Sequence, residues 1–537
     1  MGQLTSLEIL DLGHNNITGH LPSFIGQFTS LRRLSISLNH LTGGVPYEIG
    51  LLSNLTYLDL SNNKLNGMLA KEHIASLNSL QDLDLSFNSF DGVLTEKHFA
   101  SLYSLQAIDL SYNSLKINIS LEWKPTFRLQ FAHFATCQMG PLFPSWLKLL
   151  DGIVSIDMSS AGIIDRLPDW FSYFFECPSY EYLQQSAIWS SNNSLTEPLP
   201  STFGVPSLQA LSLFSNHITD PIPNSICMCT PLGALDLSSN FFEGELPSCL
   251  WKTDITTLQL SNNSLSGEFP HVLRSCTKLQ FLDLSRNKFY GRLPRWIGEL
   301  GGLNFLRLSH NRFSGKFPIT LTRLGCLQYL DLAGNGVSGS LPRHMSYLTA
   351  MRQQYWVSCE SKCIGIDLSL NNLSGELPED IGALQLLESL DLSNNKLSGV
   401  IPASLSDLSF LEYLDLSYNN LTGKVQTGSQ LETLYTSKPT MYDGNTGLCG
   451  APLKNNCSNI SRHGHSGRTE DGRGHDAFWL GLGLGFTVGL WVVFCTLLFS
   501  NVWRFAYFGF FNRLEDKVYV FVVVTWARLM RKKITSN

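Results

Sequence analysis

An asparagine that returns at a near-constant interval constrains this chain more than any other feature. It stands at Asn15, Asn39, Asn63, Asn88, Asn113, Asn193, Asn216, Asn240, Asn263, Asn287, Asn311, Asn335, Asn371, Asn395 and Asn419, with Cys137 and Ala161 filling two places in the series. Most steps are 23 to 25 residues, so the 537 residues organise as about 17 copies of one short unit and not as several globular domains. A representative unit, 279–300, reads LQFLDLSRNKFYGRLPRWIGEL. Alternation at Leu282 and Leu284 predicts a short strand with its leucines inward and the intervening side chains outward. Such strands, stacked, make a parallel sheet on the concave face of a solenoid. The asparagine amide carries both donors and an acceptor, which suits it to satisfy backbone groups where the chain leaves the strand. An apolar residue, a glycine and a Leu-Pro or Ile-Pro pair follow, as in Phe289, Gly291 and Leu293-Pro294, where glycine permits a bend and proline breaks any helix.

No unit of this kind buries its leucines alone. Neighbours supply the core, and the array presents an extended curved surface suited to recognition more than to chemistry. A formal charge of -6 and a pI near 6.1 argue against nucleic acid as a partner. Paired carboxylates, metal-ligand spacing and nucleophile motifs are not found, so no enzyme, cofactor or metal is expected; Cys359 and Cys363 lack further ligands. Twelve cysteines are too few for a disulfide-built scaffold, but Cys449 and Cys457 form a close pair, expected to be bonded and to close the last repeat in an oxidising compartment.

Residues 477–503 hold no charged side chain, and about 20 apolar residues suffice to cross a bilayer, so a transmembrane helix is expected there. Arg504, Arg513, Lys517, Arg528, Arg531, Lys532 and Lys533 follow, against Glu515 and Asp516, which places the C-terminus in the cytosol and the repeats outside. Gly481, Gly485 and Gly489 share one helix face, where they either admit a second helix or reflect ordinary membrane composition. The remaining 504–537 are too short for a kinase and carry none of its motifs. MGQLTSLEIL opens directly on repeat sequence with no secretory signal, and the chain is expected to be N-terminally incomplete.

The segments 411–423 and 387–401 follow LxxLxLxxNxLxGxIPxxIG, which resembles the plant-type extracellular leucine-rich repeat, and the match covers about four fifths of the chain. FATCQMGPLFPSWL around Cys137 and YDGNTGLCGAPLKNNC look like the corresponding segments of plant receptor-like proteins. That resemblance implies an α/β-type solenoid, a plant-type leucine-rich-repeat superhelix with a concave parallel sheet, followed by one transmembrane helix. The organisation expected is an array at 1–426, a C-terminal cap at 427–457, a spacer at 458–476, the span, and the tail. A shortened island remnant at 349–363 stands where the family carries a longer insertion. The function implied is a plasma-membrane receptor that binds an extracellular peptide, protein or glycan and signals through a separate receptor kinase or co-receptor, in defence or development. The alternative is an extracellular inhibitor of wall-degrading enzymes.

On the outward positions, the residue after the inward leucine is mostly aspartate, from Asp59, Asp84 and Asp109 to Asp367, Asp391 and Asp415, which reads as a structural or solvating ladder. Three successive repeats place an aromatic residue before that leucine, Phe281, Phe305 and Tyr329, with Arg286, Arg307 and His310 expected on the same face; aromatic and arginine side chains are the usual anchors of protein recognition. Isolated aromatics such as Tyr57 and Tyr413 occupy the same position elsewhere, so an ordinary surface is the competing reading. Candidate glycosylation asparagines are Asn16, Asn54, Asn118, Asn192, Asn262, Asn372, Asn420, Asn456 and Asn459.

Overall fold

The structure, a computed structural model, describes residues 6–74, 76–120, 123–150, 152–173, 186–203, 205–352 and 364–457. Two compact units divide the chain, 1–460 and 461–537, and the second lies outside the described residues. So do the expected spacer, Asn459, the span at 477–503 with Gly481, Gly485 and Gly489, the tail, and 353–363 of the short insertion. Among the described residues no helix is long and apolar enough to cross a membrane.

Each repeat contributes a strand of three residues whose middle apolar residue is enclosed in all but the first, as in Phe281–Asp283, Phe305–Arg307 and Tyr329–Asp331 around Leu282, Leu306 and Leu330. Seventeen such strands, from Ile9–Asp11 to Tyr413–Asp415, pair in parallel into one sheet. Most strands then end the same way. Asp283 Oδ1 accepts hydrogen bonds from Ser285 N at 2.9 Å and Ser285 Oγ at 2.6 Å, so the recurrent aspartate closes a turn and does not only face water. The residue before the asparagine turns left-handed, with φ of 52° at both Arg286 and His310. Asn287 then donates to the carbonyls of Leu260, Leu284 and Ser285 at 2.8, 3.2 and 3.1 Å, and its Oδ1 accepts from Leu265 N at 2.9 Å. One buried amide thus ties two adjacent repeats together, which is why the position recurs. Cys137 keeps one of these bonds, its thiol donating to Leu110 O at 3.3 Å.

The α/β-type expectation needs correction on the convex side. There the chain forms a second parallel strand, Lys288–Arg292, and then a single 3-10 turn, Arg295–Glu299, begun by Pro294. Its bonds run from Ile297 N to Pro294 O at 3.2 Å and from Leu300 N to Ile297 O at 3.3 Å. About 24 residues per turn of solenoid leave no room for the 10 or more that a stable α-helix needs, and the proline restricts where it begins. Among the described residues α-helices are limited to Lys71–Ile74, Glu96–Phe99 and Ser429–Ser437.

The steps from Ala161 to Asn193 and from Asn335 to Asn371, at 32 and 36 residues, are longer than the rest, yet they leave the sheet in register, with Ser155 opposite Ala187 and Tyr329 opposite Gly365. At the C-terminal end Ser429–Ser437 buries Leu431 and Leu434, while Met441 and Tyr442 complete the apolar end. Asn445 continues the asparagine series inside this cap, donating to Leu416 O at 2.9 Å and accepting from Leu421 N at 3.0 Å. Its neighbours do not follow the repeat spelling, which hid it in the sequence.

Cys449 and Cys457 are joined, with Cα atoms 5.0 Å apart, and a second disulfide links Cys227 to Cys249 across adjacent convex turns at 5.9 Å. No reading of the sequence paired these two, because their 22-residue separation means nothing until repeats are stacked. Burial pushes the thiols of Cys137, Cys229 and Cys276 up to about 12, 11 and 11, while Cys326 is exposed. Alkylation of the native protein is expected to mark Cys326 first among these four, and peptide mapping without reductant to recover both disulfides. Labelling of Cys227 or Cys249 before reduction would contradict the arrangement.

Candidate functional site

Flat register turns the three aromatic residues into a stack. Phe281 and Phe305 lie 5.3 Å apart between ring centroids at 28°, and Phe305 and Tyr329 6.3 Å apart at 27°. All three rings are half-buried and face out of the concave sheet. The stack has defined ends. Towards the N-terminus the same position holds Thr257, Ala234, Ala210, Ala187 and Ser155, and towards the C-terminus it meets Gly365, where a Cβ would lie 3.0 Å from Tyr329 Cε2.

Arg307 stands beside this stack, but its first partners belong to the protein. Its Nη1 is 3.1 Å from Asp283 Oδ2 and its Nε 3.8 Å from Asp331 Oδ2, and these carboxylates are 5% and 8% exposed. Ser309 Oγ adds a hydrogen bond of 2.6 Å to Asp331 Oδ2. The guanidinium therefore neutralises two enclosed charges while its side chain stays 42% exposed. Arg286 and His310 do not share the sheet face expected of them. As left-handed turn residues they end the strand's alternation and line its exposed rim, and the His310 ring occupies the space above Gly334, where a Cβ would lie 2.6 Å from Nδ1. Four of the six candidates come together on the sheet, and two form the edge.

A second polar and aromatic group escaped the sequence reading. His133 lies with Nδ1 3.4 Å from Asp109 Oδ2 and Nε2 2.9 Å from Ser155 Oγ, and its ring meets Trp189 edge-on at 6.2 Å. Burial works to raise the pKa of Asp109, but hydrogen bonds from His133 and Ser111 outweigh it and hold the carboxyl below its ordinary value. The signal was present as departures from aspartate at one repeat position, which is His133, Trp189 or Arg307 where the consensus is acidic.

The described candidate glycosylation asparagines, Asn16, Asn54, Asn118, Asn192, Asn262, Asn372, Asn420 and Asn456, are all exposed. Asn192 and Asn262 occupy the left-handed turn position on the concave rim, at φ of 52° and 56°, whereas Asn372 and Asn420 open strands of the second sheet. Among the described residues no group of three or more His, Cys, Asp or Glu is placed to hold a metal.

This ladder of asparagines between parallel strands is that of a leucine-rich-repeat solenoid in the form found in plant receptor ectodomains. The family description "Leucine-rich repeat region" matches residues 1–160, "Leucine rich repeat" matches 365–421, and single repeats match at 207–229, 254–276, 278–300, 302–324 and 326–348. Among solved structures the chain is similar to the ectodomain of the Arabidopsis thaliana membrane receptor kinase GASSHO1/SCHENGEN3 in complex with CASPARIAN STRIP INTEGRITY FACTOR 2, at 32% identity and a TM-score of 0.71, over 85% of this chain and 52% of that one. PEPR1-AtPEP1 is similar at 28% identity and a TM-score of 0.66, over 83% and 63%. Receptor-like protein EIX2 of Solanum lycopersicum is 34% identical over 130 residues, which are 24% of this chain and 10% of that protein; Receptor-like protein EIX1 of the same species is 33% identical over an equal share. The match to these relatives thus spans about a tenth of their length, and that to the first ectodomain about half.

Proposed function

We propose that the chain is a plasma-membrane receptor-like protein. Its concave sheet binds an extracellular peptide, protein or glycan, and its signal passes through a partner receptor kinase or co-receptor in defence or development. One observation carries the reading: three rings stacked in register on an open concave face, bounded by small residues on either side. A continuous apolar strip on a water-facing sheet is what a recognition surface provides and what a merely soluble face avoids. The solved ectodomain of GASSHO1/SCHENGEN3 is in complex with CASPARIAN STRIP INTEGRITY FACTOR 2, and PEPR1 is paired with AtPEP1, which supports an extracellular ligand here. The span at 477–503, with Gly481, Gly485 and Gly489 on one face, would hold the array at the membrane and offer the kinase partner a contact.

Replacing Phe305 with alanine removes the centre of the stack while Leu306 and Leu308 stay enclosed, so the array should fold. Affinity for a ligand purified by its ability to trigger output from cells carrying this chain is expected to fall about 30-fold, the equivalent of about 2 kcal/mol. Arg307 is the poorer choice for this test, because its removal also strands Asp283 and Asp331. Unchanged affinity at matched surface level would move recognition off this face.

A further inference from the structure

The second sheet changes sign in the middle of the array. From one repeat to the next, the residue after the repeat glycine reads Glu245, Glu268, Arg292, Lys316, Ser340 and Glu376. Arg292 and Lys316 end the strands Lys288–Arg292 and Arg312–Lys316, in which exposed and enclosed side chains alternate. Lys288, Tyr290 and Arg292 therefore stand out from one strand, and Arg312, Ser314 and Lys316 from the other. Tyr290 lies opposite Arg312, and Arg292 opposite Ser314. Parallel strands lie about 4.8 Å apart and rise about 3.3 Å per residue, so the backbones of Lys288 and Arg312, and of Arg292 and Lys316, are each about 8 Å apart. Four cations thus surround Tyr290, which is 51% exposed.

No carboxylate of the two repeats balances these charges. The segments 286–298 and 310–330 contain neither Asp nor Glu. Among the described residues none of the four cations takes part in an ion pair, whereas the exposed Lys278 and Arg274 of the preceding repeat hold Asp254 at 2.8 Å and Glu299 at 3.0 Å. Glu268, in register with Tyr290, bounds the patch on its N-terminal side. Like charges this close repel one another until an anion joins them, and they do so here in a chain whose formal charge is -6. Their stems are also laid down in one direction. Arg292 crosses Gly315, where a Cβ would lie 2.8 Å from its Cγ, and Lys316 crosses Gly339, where the corresponding distance is 3.5 Å. Glycine at both places lets the apolar stem lie flat on the next repeat with the charged head in water. Beyond them the sheet continues in register with Gly336 and Ser338, a floor of small residues with no wall to enclose a compact ligand. Such a surface suits an extended ligand that repeats its charge.

We infer that this face of the second sheet binds a linear acidic polysaccharide, its carboxylates paired with Lys288, Arg292, Arg312 and Lys316 and one of its sugar rings lying on Tyr290. Charge complementarity selects a polyanion, and the two arginines pair with carboxylates through two donors each. Tyr290 decides among polyanions. The face of its ring is negative and accepts the row of polarised C–H bonds that a sugar ring offers and a carboxylate side chain does not. The patch lies off the concave sheet, so the inference goes beyond the concave reading and does not depend on it.

The test uses the full chain in detergent micelles and a fluorescein-labelled dodecamer of α-1,4-linked galacturonic acid. The fully methyl-esterified dodecamer is its neutral counterpart, and a glutamate dodecapeptide carries the same charge without sugar rings. Fluorescence anisotropy is expected to show the acid saccharide bound about tenfold more tightly than the ester and about threefold more tightly than the peptide. R292Q/K316Q should weaken saccharide binding about tenfold and Y290A about threefold, at unchanged thermal midpoints because these side chains are exposed. K424Q, at the same repeat position near the C-terminal cap, should change nothing. Equal binding of acid and ester, or no binding of the acid, would overturn the inference. So would binding that survives R292Q/K316Q, as capture by the basic residues of 504–533 would. Peptide bound as tightly as saccharide, with Y290A without effect, would assign the patch to an acidic protein and also overturn it. F305A should bind the saccharide as the native chain does; loss of binding there would move the saccharide to the concave face and overturn the assignment to the second sheet.

Discussion

Alanine at position 287 is expected to lower the unfolding free energy of the array by about 3 to 5 kcal/mol, since each enclosed backbone group left without a partner costs about 1 to 3 kcal/mol and water recovers part of that. Three carbonyls, those of Leu260, Leu284 and Ser285, lose their donor, and Leu265 N loses its acceptor. Asparagine at this site is 9% exposed, so little solvent replaces it. Aspartate is a sharper probe. It keeps the acceptor for Leu265 N but turns a donor into a charge facing three carbonyls, and it should be at least as damaging as alanine. Urea titration followed by far-ultraviolet circular dichroism would measure both variants. A loss below about 1 kcal/mol for either would show that the turn satisfies its own backbone and that the recurrent asparagine has another purpose.

Valine at Gly382 should be comparably disruptive, for a steric reason. Gly382 lies within the convex turn Glu379–Ala383 beside the next repeat, and a Cβ there would lie 2.0 Å from Ser404 O and 2.6 Å from Ser404 C. The obstacle is backbone, so neither side can rotate away and the two repeats must separate. Overpacking of this kind costs about 3 kcal/mol where the surroundings cannot yield. Gly301 supplies the control: nothing stands within 4 Å of a Cβ there, and alanine should be neutral or slightly stabilising. The same denaturation experiment decides the matter, with equal midpoints for the Gly382 and Gly301 variants contradicting the packing account. Because each repeat contacts only its neighbours, both disruptive variants should also broaden the transition by dividing the array into parts of unequal stability.

The concave face shows how far a one-dimensional pattern reaches. Phe281, Phe305 and Tyr329 were visible as neighbours from the repeat alone, because parallel register brings equal positions side by side. Arg307 was visible as an outward residue, but its bond to Asp283 and its approach to Asp331 were not, since which of several nearby carboxylates an arginine meets depends on side-chain geometry. Arg286 and His310, expected on the sheet face, lie instead at its rim. The left-handed turn that moves them to the rim is set by the backbone bonds that close each strand, and no residue type announces it when asparagine, arginine, histidine and leucine all adopt it.

By itself the sequence determined the repeat, the inward leucines, the asparagine at each strand exit and the row of rings, because all of these follow from a fixed period acting through short-range geometry. Only the tertiary structure decided what depends on how one repeat sits against the next. Where the α/β-type class implied helices it set 3-10 turns and further short parallel sheets, and it joined Cys227 to Cys249, continued the series to Asn445 and brought His133 to Trp189 across two strands. Above all, among the described residues, it left Asp367 and Asp391 without a paired cation between two residues that have one, Asp331 and Asp415. Periodicity puts like beside like, whereas charge balance is settled by which long side chains, Arg307 from one repeat and Lys438 from the cap, happen to reach each carboxylate.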